Sequence, residues 1–268
     1  MKIGKETIPR SAICTADEHT IVVRGKDLCE ELIGHVSFAD YFFLLLTGRT
    51  PDAACSTVLN ATLVAIAEHG FVPSVQASRM TFAAAPDALQ GAVAAGILGC
   101  GSVILGASET AGQLFARVAA RMDAGLALDA AATEAIAQLK ATKSPIPGYG
   151  HPLHKANDPR VDRLLAVATE AGADLRYVHI AQALERAIPG IVGRELRMNV
   201  SAAIPAVLMG VGFPVVSLRG VPILARTAGL IAHLAEEAVQ PSGFALSYQA
   251  MQNYQYDGAV PDGFGAQA

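Results

Sequence analysis

The stretch "SVQASRMTFAAAPDALQGAVAAGILGCGSVILG", residues 74–106, is dominated by Ala, Gly, Val, Leu and Ile. Read as helix, it is apolar all round, and such a helix needs cover on every side. Ala92, Ala95, Gly96 and Gly99 are small enough to let backbones approach closely. A buried helix pair, or a helix at a subunit interface, is the expectation. Downstream, the apolar spacing predicts helices over about 109–125, 129–140 and 160–171. "RYVHIAQALERAIPGIVGR" predicts another, interrupted near Pro189-Gly190. "NVSAAIPAVLMGVGFP" predicts an apolar helix ending at Gly210 or Gly212, and "GVPILARTAGLIAHLAEEA" one with Pro222 in its first turn. The tail after Pro241 shows little helical period.

Upstream, "SFADYFFLLLTGRTPD" offers Ser37 as an N-cap, Gly48 as a stop and Pro51 as the opening of the next helix. That helix runs from Asp52 to about His69 and breaks at Gly70 and Pro73. A short strand, Thr20–Val23, ends at Arg24-Gly25. No internal repeat is evident, and strand signal is confined to the N-terminal region. The fold class expected is all-α.

The chain has 268 residues, enough for a sizeable core. Hydrophobic residues make up 52% and charged residues 16%, a balance suited to a helical protein with part of its surface covered by another subunit. A net charge of −4, with Lys and Arg scattered, argues against nucleic acid as a partner. "MKIGKETIPRS" has no apolar run of a signal peptide after it, and no 18 apolar residues follow one another, so neither secretion nor a membrane span is expected. Cys14, Cys29, Cys55 and Cys100 form no CxxC pair and read as reduced thiols in a cytoplasmic protein.

The densest cluster of special residues is "SPIPGYGHPLHKANDPRVDRLLAVA", residues 144–168. Gly148 and Gly150 around Tyr149 permit backbone angles closed to other residues and close ligand approach. His151 beside exposed amides, with Lys155 and Arg160 adding positive charge, suits an anionic substrate and an acid or oxyanion role for the imidazole. The plain alternative is a connection whose Asp158 and Pro159 start the next helix. His154 has no carboxylate-rich motif nearby to complete a metal pair, so no metal is expected. His69, at a helix C-terminus before Gly70, reads as a dipole partner or a catalyst. Arg226 and His233 lie seven apart on one face of an apolar helix, where an arginine needs a buried carboxylate or a bound anion. Ser201 reads as a helix cap; a Ser–His nucleophile lacks the GxSxG elbow.

These residues together resemble the citrate synthase superfamily over nearly the whole chain. Within it the likeness is to the short citryl-CoA lyase branch and the homologous C-terminal module of ATP-citrate lyase. "VVRGKDL…SFADYFFLLLTGRTP" is similar to the family's RG…LLLTG opening, and "GYGHPLHKANDPR" to its signature GxGHxxxKxxDPR. "MNVSAAI" stands where the family has Asn-Val-Asp, and "LARTAGLIAHLAEE" is similar to its ARxxGxIxH helix. The resemblance implies an all-α homodimer that binds coenzyme A and a citrate-like carboxylate. It implies a larger helical subdomain over about 1–140 and 206–268, and a smaller one over 141–205 carrying the loop. His151 would hold the carbonyl or hydroxyl at the reacting centre, and His69 would match the lyase branch's earlier histidine. Arg160 and Arg226, with His69, would hold carboxylates. Gly148, Tyr149, Gly150, Lys155 and Asn157 would face CoA, which acts as a thioester substrate; no covalently bound cofactor is expected.

Two departures shape the functional expectation. Citrate synthases carry a second catalytic histidine in a GPLHG segment, where this chain has Ile104 at or near the position. The lyase branch lacks it too, which favours cleavage of a citryl-CoA-type thioester to acetyl-CoA and a 2-oxo acid such as oxaloacetate. By the same resemblance Ser201 stands at the family's catalytic aspartate; a serine does not exchange protons at neutral pH without another base, which leaves protonation of the enolate to water, to another histidine or to Ser201 as a catalytic candidate. Condensation, and CoA or carboxylate binding without turnover, are the alternatives.

Overall fold

The computed structural model describes residues 8–101, 105–150 and 157–264. Three short antiparallel strands, β1 (Cys14–Ala16), β2 (Ile21–Val23) and β3 (Lys26–Asp27), form a meander. The predicted turn lies between β2 and β3, with Arg24 and Gly25 both at positive φ. Arg24 holds this turn to the first helix by donating Nε and Nη2 to the Leu45 carbonyl at 2.8 and 2.5 Å. Among the described residues every other regular element is helical, and the fold is all-α apart from this sheet. In chain order the helices are α1 (Phe38–Thr47), α2 (Ala53–Ala67), α3 (Pro73–Ala84), α4 (Leu89–Leu98), α5 (Ala107–Asp123) and α6 (Leu128–Ala141). There follow α7 (Pro159–Glu170), α8 (Arg176–Val192), α9 (Val200–Gly210), α10 (Gly220–Glu237) and α11 (Gly243–Asn253).

Contacts divide the chain into two units, Met1–Glu68 with Cys100–Arg226, and His69–Gly99 with Thr227–Ala268. Residues 141–205, expected as a smaller subdomain, fall within the first unit, because α7, α8 and α9 pack on α2, α5 and α6.

The first unit is built around α9. Ala202, Ala203, Ile204, Ala206, Val207 and Leu208 are all buried, in contact with α2, α5, α7 and α8. Pro205 sits inside this helix and withholds the N–H that the Ser201 carbonyl would otherwise accept. Burial of each large side chain contributes about 1.5–3 kcal/mol, which outweighs the roughly 3 kcal/mol cost of an interior proline. Packing therefore decides α9 where propensity does not.

Starts and stops largely follow the caps. Ser37 accepts the Asp40 amide at 3.1 Å, and Gly48 ends α1 at φ +71°. Asp52 caps α2 through the Cys55 amide. Asp158 caps α7, with Pro159 in first place. Three expectations are corrected. The expected break at Pro189 does not occur: α8 continues to Val192 and stops at Gly193, since a proline one turn from the end removes only one intrahelical bond. Ser201 is not the cap of α9; Asn199 is, accepting the Ser201 amide at 2.9 Å. The tail after Pro241 contains α11, which packs on α3 and whose start is fixed by Glu237 accepting the Ser242 and Gly243 amides.

In the second unit, α3 and α4 form the expected helix pair. A Cβ on Gly96 would stand 2.9 Å from the Ser74 carbonyl oxygen and 2.7 Å from Leu230, so the close approach needs glycine. All-round burial is not reached within one chain. Only Ala92 and Gly96 of α4 are buried, and Leu98 at its end is 85% exposed. The run Val215–Glu237 is apolar and long enough to cross a bilayer by length and composition alone. Its apolarity has a local cause: Val221 and Ala225 are core residues of the first unit, Leu230 and Leu234 of the second.

Candidate functional site

The site grows from the junction between the glycine-rich loop and the N-terminus of α9. Residues 148–150 run antiparallel to 197–199 and are bonded to them rung by rung. Gly150 donates to the Arg197 carbonyl at 2.7 Å, and Asn199 donates its amide to the Gly148 carbonyl at 2.9 Å. The Asn199 Nδ2 donates to the Gly150 carbonyl at 2.6 Å while its Oδ1 caps α9. Gly148 lies at φ +85°, and a Cβ there would sit 2.5 Å from the Ala202 Cβ. The loop thus lies directly on the first turn of α9, whose leading amides are taken by Asp158 and Asn199.

Asp158 joins this junction to α7. It is 1% exposed and accepts Nε and Nη2 of Arg160 at 2.9 and 2.8 Å, together with the Val200 amide at 3.1 Å. Burial alone would raise its carboxyl. The Arg160 hydrogen bonds and charge, with the Val200 and Arg160 amides, outweigh that and hold it below the ordinary carboxylate range. Arg160 is thereby oriented, with one edge of its guanidinium committed to protein.

Arg226 is 4% exposed, and among the described residues its buried Nη1 meets no hydrogen-bond partner. Burial lowers its pKa; Glu68 and Cys100 oppose this, and the like charge of Arg160 adds to it. The guanidinium nevertheless stays protonated at neutral pH. Arg160 and Arg226 lie within electrostatic reach of each other, and among the described residues no acceptor meets the Arg226 Nη1.

The remaining predicted residues fall in different places. Ser201 is half-buried in the first turn of α9, beside the loop. Tyr149 is a core side chain, with its hydroxyl donating to the Ala181 carbonyl at 2.7 Å and burial pushing its pKa up; only its backbone belongs to the loop surface. Asn157 is exposed and bonded to Asp162, on the rim of a cavity of about 300 Å³ that Glu185 and Arg197 also line. His69 belongs to the second unit, in the turn before α3. His151, His154, Lys155 and Ile104 lie outside the described residues. His233 is engaged by Arg79 within the second unit, a role that pairing it with Arg226 on one helix face did not suggest. Asn199, which fastens the loop, was also missed; its signal was a good N-cap residue directly before an apolar helix.

The model of the citrate synthase C-terminal domain matches residues 35–243. The chain belongs to the citrate synthase family. Among solved structures of that fold, a citryl-CoA lyase from Hydrogenobacter thermophilus is similar with a TM-score of 0.83 and 30% identity, covering 95% of this chain and 96% of that one. An ATP citrate lyase from Methanosaeta concilii, an aspartate-to-alanine variant in complex with (3S)-citryl-CoA, shares the fold with a TM-score of 0.75 and 20% identity, over 99% of this chain and 44% of its own. A citrate synthase from Synechocystis sp. is 26% identical over 208 residues, 75% of this chain and 50% of the relative. The chain spans about half the length of the curated relatives it matches.

Proposed function

We propose that this citrate synthase family member is a citryl-CoA lyase-type enzyme. It cleaves citryl-CoA, or a related 3-hydroxy-3-carboxyacyl-CoA, into acetyl-CoA and a 2-oxo acid such as oxaloacetate. One observation carries the reading: the likeness to a citryl-CoA lyase runs end to end in both chains, whereas the citrate synthases are matched over only half their length. The pair of Arg160 and Arg226 supports it, since two buried or half-buried guanidinium groups within electrostatic reach of each other suit a ligand with several carboxylates.

The reaction is a retro-aldol. A base, His69 or His151, removes the hydroxyl proton; the bond between C2 and C3 of the acyl group breaks, and its electron pair moves onto the thioester as an enolate. Water, or the histidine now carrying the hydroxyl proton, then protonates the α-carbon, giving acetyl-CoA and returning the base to its starting form. No bond to sulfur breaks, so free CoA is not a product. We further propose that the enzyme works as a cytoplasmic homodimer.

The test is to incubate purified protein with citryl-CoA, and separately with acetyl-CoA plus oxaloacetate, following oxaloacetate and free CoA. Oxaloacetate without free CoA from the first mixture supports cleavage. Free CoA from the second supports condensation and overturns it. The sequence resemblance supports a second reading, binding without turnover, since it sets Ser201 where an aspartate is expected. Binding of citryl-CoA with no turnover, followed by appearance of turnover in Ser201→Asp, is its expected signature.

A further inference from the structure

The second unit contains a buried cation with no part in the site above. Arg79, on α3, is 1% exposed. Its Nε and Nη2 donate to the His233 Nδ1 at 3.2 and 3.0 Å, and its Nη1 donates to Glu237 at 2.9 Å and to the Ser242 hydroxyl at 3.1 Å. Nη2 also pairs with Glu236. The guanidinium lies over the Phe71 ring, 4.8 Å from its centroid, and the His233 ring meets Phe71 edge-on at 5.8 Å. One side chain thus ties together α3, the end of α10, the start of α11 and the turn that precedes α3.

That turn carries His69, two residues before Phe71. It is held at a second point as well: the Gln76 side chain donates to the Phe71 carbonyl at 2.7 Å, and Val72 donates to the Gly70 carbonyl at 2.8 Å. A leucine at position 79 would join α3 to α10 without the desolvation cost of a buried cation between two carboxylates. What arginine adds is direction: a planar cation fixed by four polar partners presents one face at a defined place, and Phe71 stacks on it. We infer that Arg79 is a positioning residue, which fixes the turn bearing His69 through Phe71. The inference rests on the lyase reading only in taking His69 as a group that acts on the substrate.

The experiment compares Phe71→Leu, Phe71→Tyr and Arg79→Lys with the wild type, in the full chain. The imidazole resonances of His69, assigned with His69→Asn, are recorded without ligand, and kcat and KM are measured on citryl-CoA. Expected in Phe71→Leu are displaced His69 resonances, kcat lower by about tenfold or more, and KM within about twofold, with Phe71→Tyr restoring both signals. His69 resonances unmoved in Phe71→Leu overturn the inference, as does a tyrosine variant that behaves like leucine. If Arg79→Lys fails to fold, the Phe71 pair decides, because Phe71 is half-exposed and its loss leaves Glu237 paired. A wild type without turnover removes the lyase reading alone, and the resonances still decide the positioning.

Discussion

Asp158 takes one whole edge of the Arg160 guanidinium, with Nε on Oδ1 at 2.9 Å and Nη2 on Oδ2 at 2.8 Å. The same carboxylate accepts the amides that begin α7 and α9. A single buried side chain therefore sets two helix starts and the orientation of Arg160. Asp158→Asn keeps the volume but removes the charge, leaving Arg160 without its counter-ion and placing an amide where acceptors are needed. We expect a loss of about 3 kcal/mol. It is measured as a lower urea midpoint with an unchanged slope, and a midpoint equal to wild type refutes it.

Acid should act through the same group. Asp158 and Glu237 are both buried, and both are held below the ordinary carboxylate range, by Arg160 and backbone amides in one case and by Gly243, Ser242 and Arg79 in the other. As pH falls below about 4, the unfolded chain takes up protons that the folded chain refuses. The stabilisation is complete above that range and is lost as pH drops through the lower, folded values. Urea midpoints from pH 7 to pH 3 should fall accordingly, and Asp158→Asn should flatten that fall.

Gly148→Ala tests the fastening of the loop. The new methyl meets Ala202 at both its Cβ and its amide nitrogen, and the backbone there is left-handed. Strain and clash together should cost about 2–4 kcal/mol. Thermal melting reads the loss, and a melting temperature within one degree of wild type would show that the loop can lift off α9.

For Arg226 the two readouts should move apart. Burial weighs most on its guanidinium, and among the described residues no acceptor meets its Nη1, so Arg226→Met removes a desolvated charge and should leave stability unchanged or raised by about 1 kcal/mol. Binding of a citrate-like tricarboxylate should weaken by about 30-fold or more. Calorimetric titration beside denaturant melts measures both. A variant that loses stability yet binds normally would make Arg226 a structural residue.

Much of the architecture was legible because the chain marks its helix ends with residues that do one physical job. Ser37, Gly48, Asp158 and Pro159 each act where their chemistry suggests. The failures share a cause, in that distant partners decided the outcome. Pro189 predicts a break only while the number of residues left in the helix is unknown. The tail after Pro241 has a weak period, yet Glu237 and α3 turn it into α11. At the candidate site, the signature singled out the segment that pairs with residues 197–199 and the Asp158–Arg160 pair at the start of α7. It did not disclose that Tyr149 points into the core, because glycines on both sides suggest a backbone role without giving the direction of the ring. Arg79 was hidden in a run whose apolar composition dominated its reading.

The rung-by-rung pairing of residues 148–150 with 197–199 has a consequence for engineering. A glycine-rich loop transplanted alone from a relative would arrive without its matching strand, its asparagine clasp and the small residue at 202 that leaves room for it. Exchange between homologues should therefore treat residues 148–202 as one cassette, with both borders placed outside the pairing. Swaps cut between 151 and 196 would separate two halves of a single built object.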